Sequence, residues 1–174
     1  MNDDNRPHNQ KLVHAYNQMM QRVKERLGQT EKAAEPRLRR AIEAAEEKAV
    51  ELGELSREEA VQIGDYLRRD LQDAGEYLAG DETQELKDWF RIDLNLIENQ
   101  ILDMFLSVAD QAKLDMLDFQ EQLAEATEYR TGEITGPGLL SCMDCGEALH
   151  FHEAGHIPPC PKCRGTYFVR PSES

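Results

Sequence analysis

Through the first three quarters of this chain, apolar residues recur at steps of three and four, the period of helices that bury one face. Leu12, Tyr16, Met19, Met20, Val23 and Leu27 share such a face and predict a first helix over about 10–27, stopped at Gly28 and preceded by a flexible tail over 1–8. A second helix is predicted over about 30–52, with Pro36 tolerated only in its first turns. Its stripe of Leu38, Ala41, Ile42, Ala45, Ala49 and Leu52 is narrow and small, which lets helices approach closely. Gly53 ends that helix, and Ser56-Arg57-Glu58-Glu59 has the form of a capping box. A third helix then carries Ile63, Leu67, Leu71, Ala74 and Leu78 on one face as far as Gly80. The turn between the two reads either as a full break or as a kink.

The longest helical pattern covers about 83–127. Leu86, Phe90, Ile97, Ile101, Met104, Val108, Ala112, Phe119 and Leu123 trace its main stripe, and Trp89, Ile92, Leu96, Leu102, Phe105 and Leu106 widen it over the first half. The repeat is not a strict heptad over enough turns to demand a long coiled coil. An antiparallel hairpin or small bundle over 9–128 fits the pattern, with the shorter helices packed along the long one.

At 129–138 the pattern changes. Three glycines and a proline between Gly132 and Gly138 end the helices and read as an extended Gly/Pro link. Beyond it, 139–141, 148–152 and 167–170 read as strands, and Leu149 and Phe151 alternate with His150 and His152, placing those histidines on one face. His156, beside Pro158 and Pro159, is expected on a loop. The fold class is therefore mainly α, an N-terminal helical hairpin or small bundle with one long helix, followed by a small β ribbon over 139–174.

Within that ribbon lie all four cysteines of the chain, as Cys142-Met143-Asp144-Cys145-Gly146 and Cys160-Pro161-Lys162-Cys163-Arg164-Gly165. Two Cys-x-x-Cys turns at a separation that a hairpin spans predict one four-thiolate zinc site. Gly146, directly after its pair, and Gly165, one residue late, suit backbone with positive φ. Four protein ligands leave no open vertex, so the zinc is expected to be structural, with a formal charge of −2 on the centre. Two disulfides are the oxidised alternative, disfavoured in a reducing compartment. Iron is the rival metal, because this pair of turns also resembles rubredoxin. A thioredoxin-like redox motif would need a βαβ setting that is missing here. A rubrerythrin-type peroxidase would need Glu-x-x-His pairs in its bundle. The helical pattern has none, and Glu147 with His150 lies inside the ribbon. No enzymatic activity is expected.

Charge narrows the partners. Residues 81–138 hold 14 acids against 4 bases, so that block carries −10 of the net −14 and disfavours DNA, RNA and anionic lipid. Arg22 and Arg26, Arg37 and Arg40, and Arg68 and Arg69 are interleaved with Glu25, Glu35, Glu43, Asp65 and Asp70, and read as solvated faces laced with ion pairs. Phe151, Tyr167 and Phe168 read as the ribbon's small core. The polar, acidic N-terminus lacks the pattern of a signal peptide and no apolar run is long enough to span a membrane, so a cytoplasmic location is expected.

The capped Gly53-Glu54-Leu55-Ser56-Arg57-Glu58 segment, Leu67-Arg68-Arg69-Asp70-Leu71, a long helix with Trp89, and Thr131-Gly132-Glu133-Ile134 leading into Leu140-Ser141-Cys142 and Cys160-Pro161-Lys162-Cys163 together resemble the YbeL-like family of bacterial zinc-ribbon proteins. The resemblance runs from about Tyr16 to Pro171, and Arg164 departs from the usual glycine after the second pair. It implies a cytoplasmic bacterial protein whose ribbon binds zinc, and it brings no activity with it. Three functional classes follow. The first is an interaction or adaptor module with a protein partner, or with itself as a homo-oligomer through its helices. The second is a nucleic-acid-binding ribbon acting in transcription or translation. The third is a redox- or zinc-responsive switch in which thiolate oxidation releases the metal. As separate units, chelation is expected to unfold the ribbon and leave the helices largely intact.

Overall fold

Gly53 shows how the sequence cuts its helices. Its φ of +69° lets its amide donate to Val50 O at 3.0 Å while Glu54 N donates to Ala49 O at 3.0 Å, the two bonds of a Schellman turn. Three residues on, Ser56 N donates to Glu59 Oε2 and Glu59 N donates to Ser56 Oγ, both at 3.1 Å, which is the expected capping box. The junction is thus a full break between two helices. Leu52 falls on this turn and is 53% exposed, so it does not continue the apolar stripe to which its spacing assigned it.

The computed structural model describes residues 6–29, 37–80, 99–119 and 128–170. Four helices are present among them: α1 Arg6–Gln29, α2 Arg37–Glu51, α3 Arg57–Gly80 and α4 Asn99–Phe119. None is long and apolar enough to cross a membrane. Helix α1 starts earlier than expected, inside the stretch read as a tail, because Pro7 in a first turn has no amide to leave unsatisfied. Residues 81–98 and 120–127 lie outside the described residues, and with them Leu86, Trp89, Phe90, Ile92, Leu96, Ile97, Leu123 and the ends of the predicted long helix.

The predicted stripes meet in one core. Tyr16, Met19, Met20 and Val23 of α1, Leu38, Ile42 and Ala45 of α2, Ile63, Leu67, Leu71 and Ala74 of α3, and Phe105, Val108 and Ala112 of α4 are all buried there. Gly64 brings α2 and α3 close: a Cβ on it would lie 1.8 Å from Glu46 Oε1, and that carboxylate pairs with Arg68 at 2.9 Å. Arg22 grips Glu54 through both terminal nitrogens at 2.7 Å, tying α1 to the turn after α2. Arg37 donates to Leu27 O at 2.7 Å, at the C-terminal end of α1.

Two small antiparallel sheets follow. Strands β1 Tyr129–Arg130, β6 Tyr167–Val169, β3 Gly138–Cys142 and β4 Ala148–Phe151 lie in the order β1-β6-β3-β4, and β2 Ile134–Thr135 pairs with β5 Gly155–His156. The expected β3, β4 and β6 are present, while β1, β2 and β5 are additional. Two of these occupy the segment expected as a link, and residues 134–138 are all buried. Ile134 and Ala154 even belong to the helical core. His156 lies in β5, not on a free loop, with Nδ1 3.0 Å from Gly132 O and Nε2 3.1 Å from Asn9 O of α1. A second core contains Tyr129, Leu140, Leu149, Ile157 and Phe168 with Cys142 and Cys160. Of the three aromatic residues expected there, Phe168 is fully buried and Phe151 partly so. Tyr167 is 43% exposed under the Arg130 guanidinium, and Tyr129 takes the place foreseen for it.

Candidate metal centre

Each cysteine pair closes a turn built on the same two backbone hydrogen bonds and one left-handed residue. In the first, Gly146 N donates to Cys142 O at 2.9 Å and Cys142 N donates to Glu147 O at 2.9 Å, with Gly146 at φ +76°. In the second, Arg164 N donates to Cys160 O and Cys160 N donates to Gly165 O, again at 2.9 Å, with Arg164 at φ +63°. The left-handed position therefore falls on Arg164 and not on Gly165, as the glycine pattern had indicated. Gly165 has a different use. A Cβ there would lie 2.4 Å from Asp144 Oδ2, 3.0 Å from Cys142 Sγ and 3.2 Å from Cys163 Sγ, so only a bare backbone fits between the turns.

Strand β6 joins the two turns. Its residue Phe168 pairs with Cys142, and Tyr167 O accepts from Met143 N at 3.0 Å. The four cysteines are free thiols, with their sulfurs all within 4.8 Å of one another. Cys142 to Cys163 and Cys145 to Cys160 are each 3.6 Å apart. A disulfide requires about 2.05 Å. Tetrahedral zinc with bonds of about 2.3 Å spaces its sulfurs by about 3.8 Å, close to these two separations, so the donor set is consistent with that ion. Among the described residues no other group of histidine, cysteine and carboxylate side chains is gathered in this way. His150 and His152 are exposed at and just beyond β4 and are not in the cluster.

The electrostatics also call for a cation. Backbone amides of Cys163 and then Lys162, turned toward the Cys160 sulfur, bring that thiol down to about 7. At Cys163 the Gly165 amide, 3.3 Å from the sulfur, favours the thiolate as well, but the facing sulfurs of Cys145 and Cys142 outweigh it and push the thiol up to about 12. Four thiols this close do not all ionise unaided, and a divalent ion held by Cys142, Cys145, Cys160 and Cys163 would supply the missing positive charge. Cys142 and Cys160 are buried, Cys145 is half-buried and Cys163 faces solvent. A rim pair of Lys162 and Glu147 at 3.6 Å spans the two turns.

The spacing in the sequence was enough to find these four residues. It was not enough to find what lies beneath them. Arg69 and Asp70, read as part of a solvated face, are 6% and 0% exposed. The available signal was positional, since residue 70 falls three after Leu67 and seven after Ile63, on the apolar side of α3. No curated protein and no solved structure is significantly similar to the chain. A family model does match, over residues 25–172, and so spans the last turn of α1, helices α2 to α4, the 129–138 segment and both cysteine turns. With the sulfur cluster inside that match, the chain belongs to the DUF1451 family, described as a zinc-ribbon containing domain.

Proposed function

We propose that this is a non-enzymatic zinc-ribbon protein of the YbeL-like kind, holding one structural Zn2+ through Cys142, Cys145, Cys160 and Cys163 and serving as a protein-interaction or adaptor module. The observation that carries the reading is the four-sulfur cluster with all donors within 4.8 Å. Four protein donors complete a zinc tetrahedron, which leaves no vertex to activate water or take substrate. The metal's work is then to hold two turns and β6 in place. A protein partner is favoured by charge. Of the three ribbon bases, Arg170 has a side chain only 4% exposed and Lys162 is paired with Glu147, so a phosphate backbone would meet Arg164 and, from β1, Arg130. Residues 81–138 add −10 to the repulsion.

The nucleic-acid reading has one feature in its favour, the exposed Tyr167 with Arg130 5.1 Å over its ring, a small stacking platform beside a base. One preparation tests both parts of the proposal. Elemental analysis of the chain purified under reducing conditions should give one zinc per chain, lost in Cys160→Ser; iron, or no metal, would sink the zinc assignment. Anisotropy titration of the same sample with single- and double-stranded probes should show no submicromolar binding at physiological salt. Tight binding that weakens as salt rises would transfer the function to the nucleic-acid class.

A further inference from the structure

The ribbon sits on the helices through a buried polar junction. Asp70 of α3 is fully buried, and its Oδ2 accepts from the Tyr16 hydroxyl of α1 and from Gly136 N at 2.8 Å. Its Oδ1 lies 3.5 Å from Arg170 Nη2. Arg170 follows β6 directly and donates from Nε to the Tyr129 hydroxyl at 3.0 Å and from Nη2 to Thr135 Oγ1 at 2.9 Å. Arg69, the neighbour of Asp70, donates to Glu133 and, at 3.0 Å, to Ile134 O, with its guanidinium 3.9 Å from the centre of the Tyr129 ring. The Tyr129 hydroxyl in turn donates to Asp73 of α3. Burial first, then the Asp70 carboxylate, hold Tyr16 well above the usual phenol range; burial does the same at Tyr129, so both remain neutral donors.

Tyr129 joins the two halves physically. Its ring packs in the same small core as Cys142 and Cys160, and its hydroxyl is bonded to α3. The second cysteine turn leads through Gly165 into β6 and then to Arg170, so the geometry that fixes Cys160 and Cys163 also fixes where Arg170 enters. On the helical side, Gly136 fills a gap in which a Cβ would lie 2.8 Å from the Tyr16 hydroxyl and 3.3 Å from the Phe105 ring, and Ile134 and Ala154 close the core. A ribbon that loses its shape withdraws these groups together. Arg69 is left without Glu133 and the Ile134 carbonyl, Asp70 without the Gly136 amide, and the apolar core without its cover.

We propose that the junction of Tyr129, Arg170, Asp70 and Arg69 makes metal occupancy and the order of the helical bundle one linked equilibrium, so that the zinc state of the ribbon is transmitted into α1 and α3. The inference rests on the zinc reading above. It replaces two independent units with one, and linkage makes it reciprocal: a change in α3 must alter zinc affinity as much as zinc alters α3.

The test uses the full chain. Hydrogen exchange read by mass spectrometry, with zinc content followed in parallel, is compared before and after EDTA. Amides of α3 around residues 66–74 and of α1 around 12–20 should lose protection together with those of the ribbon. In a competition titration with a chromophoric chelator, Asp70→Asn should weaken zinc binding about tenfold. Tyr16→Phe, which keeps the ring in the core and removes only the hydroxyl, should shift it the same way by a smaller factor and serves if Asp70→Asn fails to fold. Loss of zinc and of ribbon protection with α1 and α3 unchanged would overturn the linkage alone, as would zinc affinities within twofold of the parent in both variants. A purified chain without zinc would instead overturn the reading beneath it.

Discussion

The helical part and the ribbon are held by different physics. All four described helices contribute side chains to one continuous core. The ribbon has a core of seven buried residues, two of them cysteines. A unit of that size, near the limit of about 40 residues below which a chain seldom folds unaided, needs a staple. The difference teaches where each half is vulnerable: the helices to lost volume, the ribbon to misplaced sulfur. Their meeting surface buries Ile134 and Ala154 in the helical core and has a polar centre at Asp70. An ordinary apolar patch would tolerate sliding, whereas a buried carboxylate between two arginines and two tyrosines accepts one register.

The largest effect should come from the helical side. Leu67 is fully buried on α3, and Leu67→Ala should cost about 2–5 kcal/mol through lost transfer energy and the cavity left behind. Urea unfolding followed by far-ultraviolet circular dichroism measures it. A loss below 1 kcal/mol would mean that the bundle relaxes around the gap and that the contrast with the ribbon is weaker than described.

A single methyl group makes the matching attack on the ribbon. Gly165→Ala puts a carbon against Cys142 Sγ and Cys163 Sγ, and while Asp144 can swing aside, the sulfurs cannot part without opening the tetrahedron. Overpacking of this kind costs about 1–3 kcal/mol, equivalent to a loss of zinc affinity of roughly 5- to 150-fold. At saturating zinc the helix content should match the parent. Unchanged affinity in a chelator competition would show that the turns have slack.

Most of the helical core and the gathering of the four cysteines were legible because each rests on local periodicity or spacing. Leu38, Ala41, Ile42, Ala45 and Ala49 are buried as their stripe predicts, and the Ser56–Glu59 box forms as written. The junction was not legible because it is assembled from residues 35 to 100 positions apart, among them Arg170 with Thr135, Tyr16 with Asp70 and Asp70 with Arg170. Charged side chains at such positions read as surface until something is known to cover them. The Gly/Pro composition of 129–138 misled in a related way. Gly136 is there because Tyr16 and Phe105 leave no room for a side chain, not because the backbone must flex. Tyr167 and Tyr129 exchanged roles because strands of two and three residues carry too little alternation to fix a register.

The smallest expected effect compares the two cysteine turns with each other. Both put the residue after the second cysteine in left-handed backbone, at φ +76° for Gly146 and +63° for Arg164. Both use its amide on the carbonyl of the first cysteine at 2.9 Å. The first turn meets this demand with glycine, at no steric cost. The second holds a side chain whose Cβ crowds the following carbonyl, a conformation costing roughly 1–2 kcal/mol. Arg164→Gly relieves that crowding but frees the unfolded chain, which returns about 0.4–1 kcal/mol of it. The net gain should be about 0.5–1 kcal/mol, with zinc bound a few-fold more tightly. A chelator competition run beside the parent reads it, and Gly146→Arg in the first turn provides the converse, a loss of similar or larger size. If Arg164→Gly weakened zinc binding, the arginine side chain itself would be holding the second turn, and the two turns would not be equivalent in the way their backbone contacts indicate.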